Sequence, residues 1–180
     1  MSEELGEVSI GKREVYSGRV VHLDVHEVRL PNGQVTKREL VTHPGAVAIV
    51  PIDADGNVLM VRQFRFAAGR HLLEIPAGTL EKGEDPDVCA VRELREETGM
   101  RPDKIEKIGG LFVAPGYTTE YIHLYYATEL SDDPLPQDDD EAISVQRISL
   151  AEALRLIETG EITDGKSITG LLRVARRLGV

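Results

Sequence analysis

The chain has 180 residues, a net charge of -10 and 41% hydrophobic residues, which fits one globular domain with a buried core. The acidic balance disfavours a protein that coats DNA or RNA, because such a surface gains no general attraction to phosphate backbones. The single cysteine, Cys89, cannot form an internal disulfide and is expected to pack in the core. The N-terminus lacks a signal-peptide pattern, and no apolar stretch approaches the roughly 20 residues of a membrane span. We therefore expect a cytoplasmic protein that binds neither membrane nor nucleic acid.

The first part of the chain has the pattern of paired strands. Apolar residues alternate with polar ones, which predicts a half-buried strand: Val21, Leu23 and Val25 against His22, Asp24 and His26. Residues 31–33, Pro-Asn-Gly, signal a turn, and residues 35–41 supply a returning strand. Residues 46–52 form a continuous apolar run typical of a buried strand, and residues 58–61 begin the next one.

A helix is predicted after residue 84. Asp85 is a plausible N-cap, Pro86 suits the first helical position, and Gly99 is a natural stop. Three apolar residues are expected to form its buried stripe: Val88, Val91 and Leu94.

The C-terminal half mixes strands and helices. Residues 122–126 alternate like a strand, and residues 132–141 form an acidic loop that contains proline. Ser149 and Glu152 form a capping box for a helix, and a last amphipathic helix is expected from five apolar residues: Ile168, Leu171, Leu172, Ala175 and Leu178. Because there is no strict βαβ alternation, the order favours an α+β or mixed-sheet sandwich over a doubly wound fold.

Three carboxylates on the predicted helix are candidates for metal binding. Glu93, Glu96 and Glu97 share one face, because residues three and four apart on a helix are neighbours. Glu96 has Arg92 four residues earlier, whereas Glu93 has no basic residue at helical spacing, so we expect unpaired carboxylates. Such a cluster attracts a hard divalent cation, which takes oxygen ligands. The alternative is a solvated helix face, since Glu-Leu-Arg-Glu-Glu runs are common on surfaces.

The whole stretch from residue 78 to residue 100 resembles the Nudix signature at every defined position. Gly78 is followed after five residues by Glu84, and after seven more by the sequence Arg-Glu-Leu-Arg-Glu-Glu-Thr-Gly-Met. The resemblance implies an α/β/α sandwich around a mixed β-sheet, in which the signature forms a loop, a helix and a loop. It also implies a pyrophosphohydrolase that depends on Mg²⁺, with Mn²⁺ as a possible substitute.

The resemblance also assigns roles to residues of the signature. The implied metal ligands are the backbone carbonyl of Ala77 and the side chains of Glu93, Glu96 and Glu97, with Glu96 either a ligand or a group that orients water. The residues implied to support the site are Arg92, which holds the glutamates, Glu84, which braces the loop, and Gly78 and Gly99, which allow tight backbone turns.

Flanking residues resemble the ADP-ribose pyrophosphatase branch of that family. Pro115 and Gly116 lie beyond the signature, where the alternative is an ordinary turn. Arg65 and Glu74 match residues that lie at the substrate in this branch, where the alternative for Arg65 is a surface ion pair. Glu141, with Asp139 as second choice, is the candidate for completing the metal site or acting as the base; the alternative is a solvated acidic loop.

Members of this branch carry an N-terminal β-hairpin that forms a domain-swapped dimer. The resemblance therefore implies a homodimer, with residues 1–44 as the dimerisation extension, a hairpin over residues 15–42, and residues 45–180 as the Nudix domain. Arg38 is a candidate to reach the partner's substrate. Many relatives stack the adenine on an aromatic residue from this region, but the chain has no Trp and only Tyr16 here.

The expected activity is hydrolysis of ADP-ribose to AMP and ribose 5-phosphate. Another nucleotide sugar, such as GDP-mannose or ADP-glucose, or a broad range of nucleoside diphosphate compounds, is the alternative. A non-catalytic sensor of ADP-ribose that regulates transcription is a third reading, which the intact glutamates and the charge of -10 disfavour.

Overall fold

The computed structural model describes residues 6–137 and 142–180, and these residues divide into two compact units. One unit holds the chain up to Pro44 together with Phe112–Tyr121. The other holds Gly45–Leu111 and Ile122–Val180. No helix in the described part of the chain is long and apolar enough to cross a membrane.

The first unit contains a three-stranded antiparallel sheet. Its strands are β1 (Val8–Ser17), β2 (His22–Arg29) and β3 (Val35–Thr42), in the spatial order β1-β2-β3. The predicted turn joins β2 to β3, where Gly33 adopts a φ of 85° that other residues rarely adopt. The extension is therefore larger than the expected hairpin, because a further strand begins at Val8.

The predicted orientation of β2 is wrong at Asp24. This residue was expected on the solvent side, yet it is 5% exposed, while the apolar Val21 is 42% exposed. The Asp24 carboxylate forms an ion pair with Lys12 Nζ on β1 at 2.7 Å. A carboxylate can be covered when a cation on the neighbouring strand compensates it, and strand periodicity does not reveal that cation.

The second unit contains two sheets and three helices. Its elements in chain order are β4 (Ala46–Pro51), β5 (Asn57–Arg65), β6 (Arg70–Glu74), β7 (Ala77–Thr79), α1 (Pro86–Thr98), β8 (Met100–Phe112), β9 (Tyr121–Asp132), β10 (Ile143–Ser149), α2 (Leu150–Glu158) and α3 (Gly165–Leu178). One sheet has the order β7-β4-β9-β8 and the other β10-β5-β6. The first is mixed, because β4 pairs antiparallel with β7 and parallel with β9.

Helices cover both faces of β4, whose residues are all buried, as its apolar run predicts. Val47 and Ile49 pack with α1 side chains such as Leu94. The alternate residues Ala48 and Val50 pack with side chains of α2 and α3. The architecture is therefore the expected α/β/α sandwich of the α+β class.

The predicted boundaries of α1 are confirmed, and its predicted buried stripe is right at Leu94 but wrong at Val88. Asp85 accepts a hydrogen bond from the backbone N–H of Asp87 at 2.8 Å, and Gly99 closes the helix with a φ of 76°. Val88 is 62% exposed, so it does not belong to the buried stripe. The residues that α1 buries are Cys89, Ala90, Glu93, Leu94 and Glu97. The helix therefore turns two glutamates inward, toward β7.

Helix α2 begins as predicted, and the last amphipathic helix is present as α3. Ser149 Oγ accepts a hydrogen bond from the Glu152 backbone N–H at 3.1 Å and caps α2. In α3, Leu171 is fully buried, whereas Leu172 and Leu178 are 48% and 47% exposed, so the expected apolar face is narrower than five residues.

Candidate active site

Arg92 connects three glutamates of the signature. Its Nε and Nη2 donate to the two oxygens of Glu84 at 2.9 and 3.0 Å. Its Nη1 donates to Glu93 Oε1 and to Glu96 Oε2, both at 2.8 Å. The expectation of an unpaired Glu93 is therefore wrong, because a long guanidinium reaches its immediate neighbour as well as residues one turn away.

Glu84 connects the loop to α1. In addition to the bidentate pair with Arg92, it accepts a hydrogen bond from the Glu81 backbone N–H at 2.9 Å. The hydrogen bonds from Arg92 lower the pKa of Glu84 to about 2 and hold the pKa of Arg92 above its ordinary value. These contacts give Glu84 the geometry that bracing the loop requires.

Gly78 makes room for the Glu93 carboxylate. A Cβ at position 78 would lie 1.9 Å from Glu93 Cδ, which is far inside contact distance. Gly78 lies in β7 and has no positive φ, whereas Gly99 has one. The turn role expected of both glycines therefore applies to Gly99, and Gly78 is required for close approach instead.

The carboxylate of Glu97, on α1, contacts the first residue of β7. Its side chain is buried, and its Oε2 accepts the Ala77 backbone N–H at 3.0 Å. The inward face of α1 thus brings Glu93 to Gly78 and Glu97 to Ala77, next to the carbonyl implied as a ligand. The donors from Glu93, Glu96, Glu97 and Ala77 are all oxygens, which suits a hard divalent cation.

The described glutamates of the signature are not arranged around a common metal position. In residues 6–137 and 142–180, no group of three or more His, Cys, Asp or Glu side chains is arranged to hold a metal ion. Glu93 and Glu96 are instead turned toward Arg92. The remaining implied carboxylates, Glu141 and Asp139, lie outside the described residues.

Glu74 ends β6 with a buried carboxylate that two cations share. Arg65 donates to it through Nε at 2.9 Å and Nη2 at 2.8 Å, and Lys166 Nζ donates to the same carboxylate. Burial alone would raise the pKa of Glu74, but the hydrogen bonds and charges of Arg65 and Lys166 lower it. Arg65 therefore does form an ion pair, as its alternative reading expects, although its partner is only 2% exposed.

A family model described as the NUDIX domain matches residues 42–170. The chain belongs to the Nudix family. It is 44% identical over 167 residues to the ADP-ribose pyrophosphatase of Bacillus subtilis (strain 168), which covers 92% of this chain and 90% of that protein. It is also 44% identical over 170 residues to the methanol dehydrogenase activator of Bacillus methanolicus, covering 93% of this chain and 92% of that protein.

A solved structure of an ADP compounds hydrolase has the same fold as this Nudix chain. The TM-score is 0.88 at 24% sequence identity, and the match covers 99% of this chain and 97% of the other. Nudix hydrolases depend in general on divalent metals, which fits the oxygen donors of α1 and β7.

Three predicted site residues belong to the first unit of the Nudix chain. Arg38 donates through Nε to Glu7 Oε2 at 2.9 Å. Pro115 and Gly116 occupy a turn in which the Tyr117 backbone N–H donates to the Ala114 carbonyl at 3.1 Å. This is the ordinary turn that the alternative reading expects, and the substrate roles of Arg38, Pro115 and Gly116 stay predictions.

Sequence reasoning missed three residues at the start of α3. Asp164 caps this helix, Lys166 reaches Glu74, and the buried Ser167 accepts the Ile75 backbone N–H through Oγ at 2.9 Å. Asp164 before a helical pattern is a local N-cap signal that was available. The contacts of Lys166 and Ser167 join residues 92 positions apart and leave no local signal.

Proposed function

We propose that this Nudix protein hydrolyses ADP-ribose to AMP and ribose 5-phosphate with Mg²⁺, and that Mn²⁺ can replace Mg²⁺. The observation that carries the proposal is the placement of Glu93 and Glu97 of α1 against Gly78 and Ala77 of β7. The ADP-ribose pyrophosphatase relative at 44% identity supports this choice of substrate.

In this proposal the glutamates of α1 hold the metal. Glu93 and Glu97 are the carboxylate ligands, and Ala77 adds its carbonyl oxygen. A bound Mg²⁺ would neutralise diphosphate charge and lower the pKa of a bound water. Glu96 is 20% exposed and is assigned to orienting the attacking water, with Glu141, or Asp139 in its place, as ligand or base.

The reaction adds one water across the phosphorus–oxygen–phosphorus bridge. The water oxygen bonds to one phosphorus, the bridging bond breaks, and the bridging oxygen leaves on the other phosphate. Arg65 is assigned to the anionic substrate, because its side chain is 38% exposed and its guanidinium carries a permanent positive charge. Glu74, which was also expected at the substrate, is assigned to supporting Arg65 from its buried position.

The test is to incubate the purified protein with ADP-ribose and Mg²⁺ or Mn²⁺ and to resolve the products. AMP and ribose 5-phosphate are expected in equal amounts. Glu93→Gln should abolish most of the turnover, whereas Glu158→Gln, the same change at an exposed position on α2, should not. Absence of AMP with every divalent metal tested, or full activity of Glu93→Gln, would reject the proposal.

Two other nucleotide sugars are compared with ADP-ribose in the same assay. GDP-mannose and ADP-glucose carry the same diphosphate bridge, so a kcat/KM panel decides which nucleotide sugar is preferred.

The relative named methanol dehydrogenase activator, also 44% identical, motivates a second candidate function, the activation of a dehydrogenase. Acceleration of a methanol dehydrogenase by this protein, without ADP-ribose turnover, would favour that candidate.

We also propose that residues 1–44 form a homodimer in the cytoplasm. Apolar side chains of the first unit remain unusually exposed: Val8, Ile10, Val15, Tyr16, Val20, Val21 and Val35. Val8 and Val35 both lie opposite Arg29, so they share one face of the sheet. Sedimentation should give a dimer for the wild type and a smaller species for Val35→Glu. A wild-type monomer would reject the dimer.

A further inference from the structure

A chain of alternating charges runs from the first turn of α3 to β5. Asp164 Oδ2 accepts from Lys166 Nζ at 3.0 Å, Lys166 Nζ also donates to Glu74, and Glu74 accepts both donors from Arg65. The Lys166 side chain is 12% exposed, and that of Glu74 is 2% exposed. Two cations and two carboxylates therefore compensate each other around the buried Glu74.

The N-terminal end of this chain is fixed by α3 itself. Asp164 Oδ2 accepts the Ser167 backbone N–H at 3.0 Å and the Ser167 hydroxyl at 2.6 Å. The Ser167 Oγ in turn accepts the Ile75 backbone N–H, next to Glu74. Lys166 is thus paired with a carboxylate that the cap of α3 itself holds in place.

The other end of the chain faces the candidate site. Arg65 uses Nε and Nη2 on Glu74, and its Nη1 makes no hydrogen bond to any described residue. Arg65 is partly exposed, and the negative charge of Glu97 is among the nearby charges that raise its pKa. A guanidinium held on two of its nitrogens presents the third in a fixed direction.

We propose that Lys166 is a positioning residue for the hydrolysis: it fixes the Glu74 carboxylate, and Glu74 aims Arg65 at an anionic group of the substrate. This inference rests on the proposed function of the site. It assigns to α3 a role in substrate binding in addition to its role in the core. Loss of Lys166 frees Glu74 on one side and leaves an extra negative charge near a polyanionic substrate.

A double-mutant cycle tests the proposal. Lys166→Met, Glu74→Gln and the double variant are compared with Lys104→Met, which removes an exposed lysine paired with Glu129 on the surface. Lys166→Met should raise KM for ADP-ribose by about tenfold or more, the effect of one charge-assisted hydrogen bond, and change kcat by less than about threefold. In the Glu74→Gln background the same substitution should change KM by less than about twofold. Additive effects would overturn the proposal.

A milder variant covers the case in which Lys166→Met does not fold. Asp164→Asn keeps a good N-cap but removes the charge that holds Lys166. It should raise KM in the wild-type background and leave KM unchanged in the Glu74→Gln background. An unchanged KM for folded Asp164→Asn would count against the proposal.

A readout without substrate separates this inference from the proposed function. The Arg65 Nε–H signal, assigned in ¹⁵N NMR spectra by comparison with Arg65→Lys, should exchange slowly with water in the wild type. Faster exchange is expected in Lys166→Met or Asp164→Asn. An unchanged exchange rate would overturn the proposal that Lys166 positions Arg65 through Glu74. A wild type that leaves ADP-ribose intact but shows these exchange rates would reject the proposed function alone.

Discussion

The carboxylate of Glu93 occupies the space that a side chain at Gly78 would fill. A Cβ at position 78 would lie 2.0 Å from Glu93 Oε1 and 2.2 Å from Oε2. The backbone of Gly78 has no positive φ, so alanine could adopt its conformation. A substitution at Gly78 therefore tests whether the Glu93 carboxylate must occupy this position, and it does not test a backbone turn.

Gly78→Ala should displace Glu93 and reduce kcat by about a hundredfold or more, because a Cβ 1.9 Å from Glu93 Cδ forces the carboxylate out of its position, and site groups must be held to within about 0.5 Å. The melting temperature should change little in comparison, since the strand keeps its backbone. Gly6→Ala is the matched control, because nothing lies within 4 Å of a Cβ there. Equal kcat values for Gly78→Ala and the wild type would show that Glu93 does not act from this position.

Glu97→Gln should lower kcat by orders of magnitude and leave the fold intact. A carboxamide oxygen can still accept the Ala77 backbone N–H, but a neutral amide is a poorer ligand for a hard cation than a carboxylate. Activity and thermal unfolding are measured on the same preparation. A loss of thermal stability that parallels the loss of activity would point to a structural role for Glu97.

Glu84 should contribute stability that depends on pH. Its pKa falls from 4.5 to about 2 on folding, because Arg92 binds its charged form, and this shift corresponds to about 3 kcal/mol at most. A depressed pKa in the folded state means that the stabilisation is present above pH 4.5 and is lost as the pH falls toward 2. Urea unfolding of the wild type and Glu84→Gln should show a free-energy difference that shrinks across this window. A difference independent of pH would contradict the assignment.

Gln63 should be replaceable with a gain in stability. Its side chain is 9% exposed, and its Oε1 is buried with no hydrogen-bond partner among residues 6–137 and 142–180. Gln63→Met keeps the length and removes the unsatisfied oxygen, so the free energy of unfolding should rise by about 1 kcal/mol. Gln146→Met is the control and should give no such gain, because Gln146 is only half-buried on the neighbouring strand β10. Destabilisation by Gln63→Met alone would show that the carboxamide has a partner.

Cys89 should be chemically silent in the folded protein. Burial and the neighbouring charge of Glu93 raise the pKa of its thiol to about 12, so the thiolate is scarce at neutral pH. Iodoacetamide should leave the native protein unmodified and alkylate one thiol after unfolding in urea, as read by mass spectrometry. Rapid alkylation of the native protein would contradict the buried position.

Predictions based on neighbouring residues succeeded where one local pattern decides the structure. The cap of α1 at Asp85, its stop at Gly99 and the buried strand β4 depend on backbone conformation and on continuous apolar sequence. Predictions failed at Asp24 and Val88, where burial depends on what packs against the residue. Lys12 allows Asp24 to be covered, and the inward turn of Glu93 and Glu97 moves the buried face of α1 away from Val88.

The family could be recognised without a structure, because the spacing of Gly78, Glu84, Arg92 and the glutamates is a linear pattern, and it lies within the residues that the NUDIX model matches. The sequence also determined the carboxylate chemistry, since oxygen donors at helical spacing share a face in any α-helix. The environment of those groups, in contrast, depends on how the chain folds. The contact of Glu93 with Gly78, of Glu97 with Ala77, and of Lys166 with Glu74 joins distant parts of the chain, and its geometry follows from how α1, β7 and α3 pack.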